Sequence, residues 1–216
     1  IVMLILDQMF LVCTSFVSAI ALWHLANRDN NVDKRPPSEY YDGLALAVLG
    51  IAALLLTFMG WGILGIMGEG TGNKLVAIVA SLIPFSWATG LISKFYPKHE
   101  KVFLGIMILG LIMITASRFM DAPLIARIVY PVFHTTAATV VIATPIVVVK
   151  KGLMNYHFLS VSLGGALIST GGISMAFLSA NKQLLFFSQD FVLMIFAPLL
   201  FFTGLLYYWG ISRGET

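Results

Sequence analysis

Seven apolar runs, each close to the length that crosses a bilayer, make up most of this chain: about 3–27, 43–67, 74–95, 102–119, 123–149, 157–180 and 189–211. A hydrocarbon core of about 30 Å takes roughly 20 helical residues. The apolar excess is continuous and not periodic, which is the pattern of spanning helices and not of amphipathic ones. Only 11% of the residues are charged, against about 25% in a soluble domain. The expected fold is therefore all-α, a polytopic membrane protein of seven transmembrane helices forming one domain over 1–216. The first run is read as a mature helix, being too long for a signal-peptide core and lacking a cleavage pattern.

The breaks between runs carry turn chemistry: "NRDNNVDKRPPSEYYDG" (27–43), "GEGTGNK" (68–74), "YPKHEK" (96–101), "MDAP" (120–123), "KKGLMNY" (150–156) and "SANKQ" (179–183). Pro and Gly in these segments end helices for backbone reasons. None is long enough to hold a soluble domain. The lysines and arginines are divided unequally. Arg28, Lys34, Arg35, Lys94, Lys98, Lys101, Lys150, Lys151 and Arg213 fall on one side, nine in all, and Lys74, Arg118, Arg127 and Lys182 on the other, four. The positive-inside rule makes the richer side cytoplasmic. The N-terminus is then outside and the C-terminus inside.

One stretch breaks the apolar monotony. Residues 117–136, "SRFMDAPLIARIVYPVFHTT", hold Arg118, Asp121, Arg127 and His134. Arg118 and Asp121 fall at the outer exit of span 4, where headgroups and water can meet them. Asp7 and Asp190 reach the same outer boundary on spans 1 and 7. His134 lies roughly 16 Å below Pro123 at 1.5 Å per residue, well inside the hydrocarbon. Arg127, Pro131 and His134 share one helix face by their spacing. An intramembrane ionisable group is a functional candidate by default. His134, Arg127, Asp7, Asp121, Asp190 and Arg118 are thus candidates for an outward-facing polar cavity or ion path near span 5. The alternative for His134 is structural. In either case it is expected to be neutral and hydrogen-bonded to a neighbouring helix.

In span 6 Ser160 and Gly164 are four apart, as are Gly165 and Ser169, and Gly171-Gly172 follow. Small residues at this spacing let helices approach closely in lipid. Gly50 does the same in span 2, so spans 2 and 6 are expected to be central. Pro84, Pro131 and Pro198 fall inside spans and are expected to bend them. A shift of 114 residues aligns Leu49-Gly50 with Leu163-Gly164, Pro84 with Pro198, and Thr89-Gly90-Leu91 with Thr203-Gly204-Leu205. That suggests two parallel three-helix repeats joined by span 4, a plan some transporters use. The 3+1+3 layout resembles small sugar transporters of the SWEET type and opsins in topology alone. The chain has no Pro-Gln dipeptide of the first kind and no lysine in span 7 for a retinal Schiff base.

Several classes are set aside. "GEGTGNK" lacks P-loop spacing and a preceding strand. No two of the four histidines form a same-depth pair across spans, which disfavours b-type haem, and no cofactor or metal site is expected. Cys13 is the sole cysteine, so no internal disulfide is possible and no Cys-based metal site is expected. No catalytic constellation is legible, and nothing assigns an enzyme. Nucleic-acid binding has no support. Tyr40, Tyr41, Tyr96, Tyr207, Tyr208 and Trp209 read as an interfacial aromatic belt. The expected surroundings are the lipid bilayer, with membrane-protein partners or a homo-oligomer left open. Two functions stand side by side: a small transporter or channel-like protein, and a non-catalytic subunit of a larger membrane complex. A seven-helix sensor is a third.

Overall fold

The structure, a computed structural model, describes residues 3–28, 35–64, 71–120, 123–179 and 185–214, without the side chains of 71–73, 123–124, 126–127 and 175–179. Among the described residues it is all-helical. The helices are α1 (Ile5–Asn27), α2 (Pro37–Met59), α3 (Thr71–Phe95), α4 (Glu100–Phe119), α5 (Pro123–Lys150), α6 (Leu159–Ser179) and α7 (Gln189–Arg213). Six of them, all but α6, are long and apolar enough to cross a membrane within the described residues. They suggest an integral, multi-pass membrane protein in a lipid bilayer.

Most helix ends lie close to the expected bounds, but α2 does not. It begins at Pro37 and ends at Met59, not at 43 and 67. Pro36 is extended and Pro37 takes the first helical position, where a missing N–H costs nothing. Gly60 then stops the helix with φ +68°, its N–H bonded to the Leu56 carbonyl at 2.8 Å. Glycine adopts that left-handed conformation without a Cβ penalty. The polar "SEYYD" segment is consequently helical, and it carries Asp42 into the second turn of α2.

Helix α1 shows how such a bundle is built. Its buried positions are Asp7, Leu11, Thr14, Ser18 and Ala21, a stripe at helical spacing made mostly of small or polar residues. Its large apolar side chains, Ile5, Phe16, Ile20 and Trp23 among them, point outward. Lipid is as apolar as leucine, so packing favours residues that bring backbones together and gains little from large hydrophobes. Accordingly, Ser15 donates to the Gly50 carbonyl across the α1–α2 contact at 3.0 Å. Ser162 reaches the Ile142 carbonyl between α6 and α5 at 2.7 Å. Ser160 reaches the Leu206 carbonyl between α6 and α7 at 2.8 Å.

The helices pack in a closed circuit: α1 on α2, α2 on α3, α3 on α5, α5 on α6, α6 on α7, and α7 back on α1. Helix α4 joins from one side, against α3 and α5. Among the six spans α3 is the most enclosed, and α2 is largely exposed along its length. The expected central role for span 2 therefore passes to α3. The reason is that α3 meets α2, α4 and α5, whereas α2 meets only α1 and α3 broadly. Pro84, Pro131 and Pro198 sit inside α3, α5 and α7, and α5 holds a further proline, Pro145.

Candidate functional site

Below, the N-terminal end of the bundle is where α1, α3, α5 and α7 begin, and the C-terminal end is where they finish. His134 lies in the N-terminal half of α5 and is 4% exposed. Its ring stacks on Tyr130, one turn earlier, with centroids 5.2 Å apart and planes at 21°. Its other neighbour is Gly172 of α6. A methyl group built on Gly172 would lie 2.7 Å from Nε2, so the glycine is what leaves room for the imidazole. Among the described residues neither ring nitrogen has a hydrogen-bond partner. The hydrogen bond expected to a neighbouring helix is not found among them, and Gly172, which faces the ring, has no side chain to offer one.

Arg118, near the end of α4, is half-buried, and its Nε is also buried without a partner. Its guanidinium is within electrostatic reach of Tyr130. Arg118, Tyr130 and His134 thus form a sequence of polar groups running from the α4 end into the bundle. Phe133, beside His134, turns the other way and packs on Gly110 of α4. Neighbouring residues of α5 in this way fix both α4 and α6.

The other candidates are not brought to this place. Asp7 is 5% exposed, and its carboxylate accepts the backbone N–H of Leu4 at 3.0 Å, capping its own helix. Helix α1 packs on α2 and α7, away from the faces of α5 that meet α3, α4 and α6. Asp190 is exposed in the first turn of α7. Asp121 and the side chain of Arg127 lie outside the described residues. The small residues of α6 meet different neighbours. A methyl on Gly164 would lie 3.2 Å from the Thr203 carbonyl oxygen, one on Gly165 would lie 2.6 Å from Val141, and one on Gly171 would lie 3.2 Å from Leu199. On Gly50 it would lie 2.9 Å from the Ser18 Cβ.

A cavity of about 360 Å³ opens at the C-terminal end, lined in part by His24, Arg28, Leu46, Tyr208 and Ser212. Close by is a second polar group that the sequence reading missed. Tyr207 of α7 is 0% exposed and donates to Asp42 Oδ1 at 2.9 Å. Trp87 of α3, also 0% exposed, stacks on Tyr207 with centroids 3.9 Å apart. Tyr207 is therefore an interior residue and not part of an aromatic belt. The available signal was Pro36-Pro37: read as a helix start, it places Asp42 inside α2.

No protein-family model, curated protein or solved structure matches the chain. Among the described residues no group of three or more His, Cys, Asp or Glu could hold a metal ion.

Proposed function

We propose that the protein is a small membrane transporter or channel-like protein in which His134 is the polar station, with the proton as the ion it handles. The observation that carries this reading is an almost fully buried imidazole with both nitrogens unpartnered. A buried polar group left unsatisfied costs about 1–3 kcal/mol, and in a membrane span such a residue is rarely kept for packing alone. Tyr130 and Arg118 extend the polar sequence toward the N-terminal end. In this reading Arg127 and Asp121, near the start of α5 in the sequence, supply charge around the entrance.

The decisive measurement is proton flux into reconstituted vesicles holding a trapped pH indicator, under an imposed gradient. His134→Ala is expected to abolish flux while the bundle still folds. His134→Gln, which cannot exchange a proton in this range, is expected to do the same. Flux that persists unchanged in Ala, Gln and Leu variants would remove His134 as the station, and flux in the parent no greater than in protein-free vesicles would remove the transport reading in favour of a non-catalytic subunit of a membrane complex.

We infer the orientation from the nine-to-four division of basic residues, which makes the C-terminal end cytoplasmic. Cysteines introduced at Lys98 and Lys151 are expected to be labelled only from the cytoplasm, and one at Thr71 only from outside. The reverse pattern would invert the molecule. The parallel-repeat reading is supported by the order of packing, with α1–α2–α3 and α5–α6–α7 forming the circuit and α4 beside it. Its register has weaker support. Gly50 meets α1 through Ser18, whereas its counterpart Gly164 meets α7 through Thr203.

A further inference from the structure

We propose that Asp42, Tyr207 and Trp87 form a proton-binding site at the C-terminal end of the bundle, separate from His134. Three helices converge there: α2 brings the carboxylate, α7 the phenol and α3 the indole. Tyr207 is oriented from two sides, by its 2.9 Å hydrogen bond to Asp42 Oδ1 and by its stack on Trp87. The indole Nε1 of Trp87 is buried with no hydrogen-bond partner among the described residues, so this junction keeps unused polar capacity at a fully buried position. Gly90 of α3 makes the space for the carboxylate, since a methyl there would lie 2.9 Å from Asp42 Oδ1.

The same closeness decides which ligand fits. The Trp87 and Tyr207 rings are in contact and wholly enclosed, and Gly90 abuts the carboxylate, which leaves a solute no volume between them. A proton adds charge without volume. Asp42 itself is half-buried and lies less than two turns from the start of α2, within reach of the aqueous end. The groups that face it electrostatically are Tyr207 from α7, Lys94 from α3, Arg28 after α1, and Glu39 on its own helix.

The step is simple and balanced: the Asp42 carboxylate takes a proton from water and becomes a neutral acid, and Tyr207 keeps its own proton. A hydrogen bond to an ionised acceptor is about twice as strong as one between neutral groups. Protonation therefore weakens the α2–α7 link and relaxes the Trp87–Tyr207 stack. The inference does not depend on whether His134 carries flux.

The test uses the full chain in lipid nanodiscs, with Trp23, Trp61 and Trp209 replaced by Phe so that Trp87 is the sole emitter. Its emission is expected to follow a one-proton transition with pH. Asp42→Asn should abolish that transition, since the amide oxygen still accepts from Tyr207 but takes up no proton. Glu39→Gln should keep it. Infrared difference spectra of the unaltered protein give a second readout that needs no tryptophan changes: acidification should produce a carboxylic-acid C=O band that is missing in Asp42→Asn. The same fluorescence transition in Asp42→Asn, or an infrared band that survives that substitution undiminished, would overturn the proposal.

Discussion

Gly172→Leu is expected to destabilise the folded bundle by about 1–3 kcal/mol, the usual cost of forcing atoms into a packed interior. The first added carbon alone would lie 2.7 Å from His134 Nε2 and 3.1 Å from Cε1. The ring cannot swing clear without leaving its stack on Tyr130. Gly164→Leu should cost a similar amount, because the atom it meets is the Thr203 carbonyl oxygen, part of a helix backbone. Two comparisons separate packing from general intolerance. Gly105→Leu on α4 meets nothing within 4 Å and should stay within about 0.5 kcal/mol of the parent. Leu163→Ala removes a side chain that is 55% exposed and should also be mild. Equilibrium unfolding in mixed detergent micelles orders the four variants. A Gly172→Leu protein as stable as the parent would mean that α5 and α6 do not meet through this histidine.

Trp87→Ala is expected to cost about 3 kcal/mol. In water-soluble cores truncating Phe or Trp to Ala costs about 3–5 kcal/mol, a transfer term plus a cavity term. Between helices already in lipid the transfer term is largely absent, which puts Trp87 at the lower end of that range. What remains is the cavity, the lost stack on Tyr207 and the loosened hold on the Tyr207–Asp42 hydrogen bond. Phe58→Ala, at a position 80% exposed on α2, is the matching control and should change little. Thermal unfolding followed by circular dichroism is sufficient to compare them. Equal losses at both positions would show that Trp87 does not sit at the junction of α2, α3 and α7.

The length and unbroken hydrophobicity of the apolar runs were enough, without any tertiary information, to point to helices suited to a membrane and to place most of the described helix ends within a few residues. That follows from the bilayer, which requires each spanning segment to satisfy its own backbone and so makes the spans nearly local properties of the chain. His134 stood out in the sequence as an ionisable residue within an apolar run, and the structure buries its side chain. Two local features run against the pattern of polarity. The polar residues after Pro36-Pro37 are helical, with Pro37 in the first helical position that proline favours, and Tyr207, near a helix end, is interior. Which residues meet across helices was decided only by packing. Nothing in the chain order says that Gly172 would face His134, that Asp7 would cap its own helix, or that Tyr207, Trp87 and Asp42 would converge from three helices. In lipid no large apolar stripe marks the buried face. Contacts are set by small residues and by individual polar groups, and their partners emerge only once all the helices are in place.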